Sequence, residues 1–387
     1  MIELRYGANP HQKTKTVSFT SSEPLKLLNS APSFINLLDA ITAWQLVREL
    51  REATGLPSAA SYKHVSPAGA AVAKEIDTEF QESQFLKHTD FSPLASAYLR
   101  ARGGDRMCSF GDAAAVSDIV DVSLAEFLKT EVCDLIIAPG YEPEALEILK
   151  KKKKGNFLIF EIDPDYDPDP MEMRELFGIQ LSQERNHKVI TREDLTNIVS
   201  RNRDMPESIY QTLLVAAITL KYTQSNSISL AYDGQIVGVG AGQQSRIDCT
   251  RLACDKAEKW FLQRHPKVRS LQFQDKLPKV VKTNLIDQYL LWDSLSAREE
   301  AMMLEGFTKR PERISKEERA QWINTFSGIT LGSDAFIPFR DNIDRASRTN
   351  VQYIVETGGS LRQDDVIQAT DEYGMVHIHT GIRSFLH

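Results

Sequence analysis

A lysine and a histidine stand side by side in residues 61–70, which read SYKHVSPAGA. The residues before Lys63 predict a strand, and the Ser-Pro-Ala-Gly after His64 predicts a turn into a helix. Helix N-termini at strand ends bind anions, because their first N–H groups have no partner within the helix. A cation beside an imidazole that titrates near neutral pH suits proton transfer. The structural alternative is a buried histidine and a surface lysine on opposite faces of a strand.

A zinc deaminase is one enzyme class that a strand followed by a helix suggests. Such enzymes carry H-x-E and a later P-C-x-x-C, which hold zinc and move protons. Here the tripeptide is His64-Val65-Ser66, and the four cysteines form no C-x-x-C. We therefore expect no deaminase zinc site. Cysteines this sparse are expected to be reduced, which favours a cytoplasmic protein.

Two further polar segments could bind ligands. Residues 238–246, GVGAGQQSR, follow a predicted strand and resemble a dinucleotide-binding loop, but Gln243 replaces the third glycine. The alternative for these glycines is close backbone packing at the exit of a hairpin. Arg246 would stand just inside the next helix, in a position to face an anion. The segment 221–227, KYTQSNS, is predicted to be a binding loop.

The remaining basic and histidine motifs have simpler interpretations. Five consecutive lysines at 150–154 end a predicted helix, where cations interact favourably with the negative helix terminus. His377 and His379 share one face of a predicted strand, but no third ligand follows them in sequence, so we predict no metal site there. His187 and His265 are predicted to be surface residues.

Strands alternating with helices would position these groups, which indicates an α/β layered protein. The predicted helices are 34–54, 123–130, 143–154, 207–222 and 363–373. The predicted strands are 57–65, 134–138, 156–162, 227–232, 235–240, 351–356 and 375–380. Asp233-Gly234 predicts a tight hairpin, and Ser315 with Glu318 a capping box. Three prolines and four aspartates at 163–170 predict a linker, and helices are expected to dominate 245–326.

Composition narrows the functional classes. The chain has 387 residues, 42% of them hydrophobic, and a net charge of −7. This length corresponds to about two to three domains, and the excess of acidic residues argues against non-specific binding to nucleic acid. No apolar run reaches the ~20 residues of a membrane-spanning helix. The segment Met1–Gln12 lacks the apolar core of a signal peptide.

Five segments together resemble the motifs of AICAR transformylases. They are LRYGANPHQ (4–12), YKHVSPAGA (62–70), KYTQSNS (221–227), GAGQQSR (240–246) and SDAFIPFRD (333–341). The likeness extends from Leu4 to His387. In the usual bifunctional enzyme an IMP cyclohydrolase domain precedes this region. The resemblance thus implies a stand-alone transformylase, with ring closure left to a separate cyclohydrolase.

The resemblance also implies a reaction. A formyl group would pass from 10-formyltetrahydrofolate, as co-substrate, to the 5-amino group of AICAR in purine synthesis. His64 matches the family's proton acceptor, and Lys63 its transition-state stabiliser. The alternatives are an AICAR- or folate-binding regulatory protein on the same scaffold, and another one-carbon or deaminase-type enzyme, which the missing metal ligands disfavour.

The resemblance carries over a set of binding residues. Those matching nucleotide contacts are Arg5, Tyr6, Gly111, Asp134, Asn226, Arg246, Phe336 and Arg383. Those matching folate contacts are Ile247, Asp341, Ser360 and Leu361. Arg5 and Arg383 are the expected phosphate partners, since guanidinium groups match phosphate oxygens. Leu361 departs from the small alanine expected at its position, and the lysine run is a candidate to attract a polyglutamate tail.

The fold implied by the family is a pair of cytidine-deaminase-like three-layer α/β subdomains without zinc, plus a helical insertion. The first would comprise residues 1–168, completed by helices around 264–325. The second would combine 169–263 with 326–387. The resemblance further implies a cytoplasmic homodimer with shared active sites and no catalytic metal. It allows a structural monovalent cation, potassium, near the C-terminus.

Overall fold

The structure is a computed structural model and describes residues 2–12, 17–19 and 22–387. Met1, the first residue of the segment in which we predict no signal peptide, lies outside these ranges. The helices are α1 Phe34–Thr54, α2 Thr78–Ser83, α3 Pro93–Gly103, α4 Val122–Thr130, α5 Pro143–Lys150, α6 Glu207–Lys221, α7 Arg246–Gln263, α8 Pro266–Arg269, α9 Lys279–Leu290, α10 Ala297–Leu304, α11 Lys316–Ile323, α12 Asp341–Arg348 and α13 Gln363–Glu372. The strands are β1 Leu25–Asn29, β2 Ser58–Tyr62, β3 Pro67–Val72, β4 Asp112–Val116, β5 Cys133–Ala138, β6 Leu158–Ile162, β7 Met171–Leu176, β8 Ile179–Glu184, β9 Ile228–Tyr232, β10 Gln235–Gly240, β11 Thr330–Ser333, β12 Tyr353–Glu356 and β13 Val376–His379.

Eleven of these strands form one mixed sheet, which confirms the α/β class. Their order is β1-β6-β5-β4-β2-β3-β10-β9-β11-β12-β13. The series β3-β2-β4-β5-β6 and β10-β9-β11-β12-β13 have the same order along the chain and the same pattern of parallel and antiparallel pairs. The sheet thus consists of two equivalent five-stranded halves, joined where β3 pairs with β10, with β1 added antiparallel beside β6.

Helices cover both faces of the sheet, because its central strands are apolar on both sides. On β5, Leu135 and Ile137 pack in the core formed with α1 and α6. Ile136 and Ala138 point the other way, into the core formed with α3, α4 and α5. The result is a three-layer arrangement. None of the helices among the described residues is long and apolar enough to span a membrane.

Several predicted local signals are confirmed. Helix α1 has the predicted limits and ends at Gly55, whose φ of 70° is the left-handed conformation that glycine adopts easily. Asp233-Gly234 joins β9 to β10, and Ser315 with Glu318 forms the capping box of α11. Helices do dominate 245–326, where α8 to α11 have their own apolar core. The subdomain boundaries stay predictions.

Two expectations about local structure were wrong. Residues 66–69 do not begin a helix, because Pro67 opens β3, which pairs antiparallel with β2. Helix α5 ends at Lys150, so most of the lysine run follows the helix, and Lys153 and Lys154 have positive φ. The segment after the predicted linker forms the hairpin β7–β8, whose two strands pair with each other and with no other strand among the described residues.

Candidate functional site

The predicted site residues lie along one edge of the sheet. Strand β2 ends at this edge, and the pairing of neighbouring strands fixes the direction of the others. Strands β4, β5 and β9 begin at the edge. Strands β10, β11, β12 and β13 end there. At the edge lie Arg5 and Tyr6 beside the start of α1, Lys63 and His64 after β2, Gly111 before β4, Asp134 in β5, Asn226 before β9, Arg246 and Ile247 after β10, Phe336 and Asp341 after β11, Ser360 and Leu361 after β12, and Arg383 after β13. The topology therefore brings segments that are distant in sequence to one surface.

Lys63 and His64 lie in a two-residue hairpin turn between β2 and β3. The N–H of Lys63 donates to the carbonyl of Ser66 at 2.9 Å, and the N–H of Ser66 donates back at 3.3 Å. His64 and Val65, the two central residues, have φ of 54° and 55°. Asn-Gly pairs usually occupy such turns, since positive φ is strained for a β-branched residue such as Val65. His64 is exposed and Lys63 half-buried. The segment that follows the turn is strand β3 rather than the predicted helix, so it offers no helix N-terminus to an anion.

Asp39 of α1 holds this strained turn in place. Its carboxylate accepts a 2.7 Å hydrogen bond from the N–H of Val65, and its side chain is buried. Burial raises the pKa of Asp39 above its ordinary value, although the N–H of Val65 and the nearby His64 act in the opposite direction. Strained backbone persists only where neighbouring contacts impose it. Asp39 is therefore a positioning residue for His64, and sequence reasoning missed it.

We expect Asp39→Ala to lower kcat for any reaction in which His64 takes part by about 10- to 100-fold, since small displacements of a reacting group are costly. Asp39→Asn keeps an acceptor oxygen for the Val65 N–H and should retain most of the activity. Steady-state kinetics of both variants would measure this, with KM for the nucleotide little changed.

The matched control is Glu52→Gln, an exposed carboxylate on the same helix. If Asp39→Ala and Glu52→Gln have the same kcat, Asp39 does not position the turn.

A first group of predicted residues surrounds the turn. The ammonium of Lys63 donates to the carbonyl of Phe110, which precedes Gly111. A Cβ on Gly111, whose φ is 75°, would lie 3.5 Å from Oδ2 of Asp134. That carboxylate pairs at 2.5 Å with Lys153. Thus Lys63, Gly111 and Asp134 adjoin one another, and one lysine of the run neutralises Asp134.

A second group surrounds Asp334, which follows β11. Arg246 is buried and pairs with the carboxylate of Asp334, while its other terminal nitrogen donates to Oδ1 of Asn226 at 2.9 Å. Ser227 also donates to Asp334. In this structure the guanidinium of Arg246 faces the carboxylate of Asp334 and the carbonyl of Ser227. That it also faces a bound anion stays a prediction.

The glycines of residues 238–246 serve close packing. A Cβ on Gly238 would lie 2.2 Å from the carbonyl oxygen of Ala253, and one on Gly240 would lie 2.2 Å from that of Cys249. Both contacts are with α7, which lies directly against β10. The interpretation of these glycines as positions of close backbone packing is therefore confirmed, and they need no dinucleotide to explain them.

The C-terminal segment joins the second group. The N–H of Ser384 donates to the carbonyl of Asp334 at 2.8 Å. Its neighbour Arg383 is exposed, with its guanidinium carbon 4.9 Å from the centre of the Phe385 ring. Phe336 is 45% exposed. The second group thus presents a free cation and an aromatic ring to solvent beside its buried ion pair.

The remaining predicted residues lie at the margins of this edge. Arg5 is exposed, and its guanidinium carbon lies 5.9 Å from the ring centre of Tyr6. Asp341 is the exposed first residue of α12. Ser360 and Leu361 lie in the loop after β12, where the Leu361 side chain is fully exposed. Leu361 therefore has no packing role within the chain.

A hydrogen bond connects the two groups. The hydroxyl of Tyr62, the residue before Lys63, donates to the carbonyl of Tyr222. The segment 221–227 predicted as a binding loop therefore runs from beside the catalytic candidates to the second group. Of the other histidines, His187 is exposed as predicted, whereas His265 is half-buried and caps α8 by accepting from the N–H of Lys267.

Comparison with known proteins identifies the family to which the chain belongs. Residues 1–256 match the family described as AICARFT/IMPCHase bienzyme. The chain is 29% identical to the bifunctional purine biosynthesis protein PurH of Roseobacter denitrificans, 28% to that of Magnetococcus marinus and 26% to that of Staphylococcus epidermidis. Each alignment covers 99% of this chain but only 59%, 59% and 61% of the relative. The chain thus spans about three-fifths of the length of these relatives.

Proposed function

We propose that this chain, which belongs to the AICARFT/IMPCHase bienzyme family, transfers a formyl group from 10-formyltetrahydrofolate to the 5-amino group of AICAR, giving FAICAR in de novo purine biosynthesis. The observation that carries the proposal is the exposed His64, held in a strained turn on the edge where the other family-matched residues gather. A packed, buried His64 would have contradicted it. We also propose a cytoplasmic location, as the sparse cysteines suggest.

The chemistry requires a base. The 5-amino nitrogen of AICAR is a weak nucleophile, because its lone pair is delocalised into the imidazole and carboxamide. As this nitrogen attacks the formyl carbon, the N–H bond must give up its proton. His64 is the residue we assign to accept it, since a neutral imidazole is a base near neutral pH.

The tetrahedral intermediate then needs a cation. The formyl oxygen becomes an oxyanion, and the bond from the formyl carbon to the folate nitrogen must break as the carbonyl re-forms. The departing nitrogen takes up one proton, which balances the proton that the attacking amine gives to His64. We assign Lys63 to stabilise these charges, because a positioned cation acts strongly on charge that develops in the transition state. Its hydrogen bond to the Phe110 carbonyl fixes the ammonium beside the turn.

The placement of the other residues supports the substrate assignment. Asn226 precedes β9, which is three strands from β2, so Lys63 at the end of β2 and Asn226 are separated by about 14 Å along the edge. A nucleotide together with these two side chains can bridge this span. We propose that the exposed Arg5 and Arg383 bind the phosphate. Arg246 would contribute to nucleotide binding by positioning Asn226, to whose Oδ1 it donates a hydrogen bond. Folate would contact Ile247, Asp341 and Ser360.

The repeated strand order supports two cytidine-deaminase-like subdomains. Each half has the order 2-1-3-4-5 by its own strand numbering, with strand 1 antiparallel to strands 2 and 3 and strands 3 to 5 parallel. On this proposal the turn at His64 occupies the end of strand 1 of the first half. The C-terminal monovalent cation stays a prediction.

We further propose a homodimer with shared active sites, and the hairpin β7–β8 supports it. The hairpin carries exposed apolar side chains on both faces, including Met173 at 67%, Ile179 at 62% and Leu181 at 52%. The turn residue Phe177 is fully exposed. Apolar surface of this kind marks a protein interface.

Ile179→Glu is expected to weaken this dimer by at least about 150-fold, because each of the two protomers loses a buried side chain that contributes about 1.5–3 kcal/mol. Sedimentation velocity over a dilution series would measure the shift towards monomer. Gln180→Glu, an exposed polar position on the same hairpin, is the control. A native protein that is monomeric at every concentration would contradict the proposal.

The deciding test is whether the purified protein formylates AICAR with 10-formyltetrahydrofolate, which the change in absorbance would measure. An AICAR- or folate-binding regulatory protein would bind its ligand without turnover. A separate cyclohydrolase is then added to the same reaction. We predict that FAICAR accumulates until the cyclohydrolase is added and is consumed afterwards.

A further inference from the structure

Two histidines and a glutamate meet at the end of the last two strands. His377 and His379 alternate along β13 and therefore share one face. Glu356 of β12 is the register partner of His379 in the parallel pair, so its side chain emerges on the same face. Nε2 of His377 lies 2.9 Å from Oε1 of Glu356, and Nε2 of His379 lies 3.3 Å from the same oxygen. No third ligand follows the two histidines in sequence, but Glu356, which precedes them on the neighbouring strand, is a third candidate ligand.

The cluster is buried and incompletely satisfied. His377, Glu356 and His379 are 0%, 3% and 8% exposed. Among the described residues, Nε2 of His379 has no hydrogen-bond partner of good geometry despite its position beside Glu356, and Nδ1 of His377 has none either. Buried polar atoms are nearly always paired, so an unpaired imidazole nitrogen aimed at a carboxylate calls for an explanation.

We propose that Glu356, His377 and His379 bind a divalent transition-metal ion such as Zn²⁺. Imidazole nitrogen and carboxylate oxygen are ligands that zinc prefers, and zinc bonds of about 2.0–2.2 Å place neighbouring ligand atoms about 3.3 Å apart in a tetrahedron. The candidate ligand atoms all lie within 4.8 Å of one another. An ion between them gives Nε2 of His379 the partner it otherwise lacks, while Nδ1 of His377 stays unpaired with or without metal.

The ion would have a structural role. The other oxygen of Glu356 accepts from the N–H of Ile337, which adjoins Phe336. A Cβ on Gly358 would lie 2.7 Å from Nδ1 of His379, so this ring lies directly against the loop that contains Ser360 and Leu361. Metal at the cluster therefore fixes both segments to the edge of the sheet. The cluster lies on β12 and β13, away from Lys63 and His64, which follow β2.

The test uses the full chain, stripped with a chelator and titrated with Co²⁺ and Zn²⁺. We expect one Co²⁺ per chain with the visible absorption bands of a four-coordinate ion, and we expect Zn²⁺ to displace it and raise Tm. Competition with a chromophoric chelator would measure the Zn²⁺ affinity of His379→Gln and Glu356→Gln. Loss of a residue that only hydrogen-bonds to a metal ligand weakens binding by about 10- to 100-fold. We expect each of these two variants to weaken Zn²⁺ binding by more than that.

His187→Gln, an exposed histidine outside the cluster, is the control and should bind like the native chain. Absence of the Co²⁺ bands in the folded native protein would overturn the proposal without any variant. Equal Zn²⁺ affinity in the native chain, His379→Gln and Glu356→Gln would overturn it as well, since the ion would then be bound elsewhere. Circular dichroism verifies that each variant is folded.

Discussion

His64→Asn is expected to lower kcat for formyl transfer by about 10²–10⁴-fold, the usual cost of losing a proton-transfer group, while AICAR binding survives. The amide cannot accept a proton at neutral pH, so the attacking amine keeps its proton and the intermediate reverts. Absorbance-monitored kinetics would measure the loss of rate, and calorimetric titration with AICAR would measure the affinity.

Asparagine is chosen because His64 has positive φ. Asn adopts this conformation more readily than most residues, so the turn and its hydrogen bonds should remain, whereas alanine would add strain. His88→Asn is the matched control, since His88 is exposed and stacks on Phe91 away from the turn. If His64→Asn loses affinity for AICAR but keeps the kcat of the native chain, His64 does not have the role of proton acceptor.

The sequence predicted best those elements whose signals are local. Helix α1 combines an apolar face with a glycine in left-handed conformation at its end, and both signals lie within the element. The β9–β10 hairpin is similar, because Asp233-Gly234 by itself favours the turn type that joins the two strands. Such elements need no information from the rest of the chain.

The β2–β3 hairpin shows why other elements were missed. Its turn residues, His64 and Val65, are poor formers of a two-residue turn, and the alanines after Pro67 favour helix. The segment is nevertheless a strand, because it is fully buried at the middle of the sheet between β2 and β10. Tertiary packing overrides local propensity there. The strain is concentrated at the candidate catalytic residue, where Asp39 stabilises it.

Residues that act across strands were also hidden. Glu356 and His379 are separated in sequence but are register partners in adjacent parallel strands, so strand order had to be known before the third ligand could be found. Asp39 left a weak signal, as a carboxylate among the buried apolar residues of α1. The candidate edge was recoverable only through family motifs, because its residues come from both halves of the sheet.

Arg102→Met is expected to destabilise the fold by about 3–5 kcal/mol, since it leaves a buried carboxylate without its cation. Arg102 of α3 pairs with Asp112 at 2.6 Å, and both side chains are buried. Tyr98 and Ser61 donate to the other oxygen of Asp112, so the charge would keep only neutral partners. A lower midpoint of urea unfolding would measure the effect.

The same substitution should also reach the candidate site. Arg102 donates to the carbonyl of Ser109, next to Phe110, whose carbonyl accepts from Lys63. We therefore expect kcat to fall at temperatures where Arg102→Met is still folded, because the segment that holds the Lys63 ammonium is loosened. Adding Asp112→Asn removes the unpaired charge and should recover part of the stability but not the activity.

Arg251→Met is the control for this prediction, because Arg251 pairs with Asp248 at the surface, where both side chains are more than half exposed. Such pairs contribute about 0–1 kcal/mol, so its unfolding midpoint should stay near that of the native chain. If Arg102→Met and Arg251→Met unfold at the same urea concentration, the buried pair does not stabilise the fold. If the double variant is no more stable than Arg102→Met alone, the loss arises from packing of the arginine side chain rather than from the unpaired charge of Asp112.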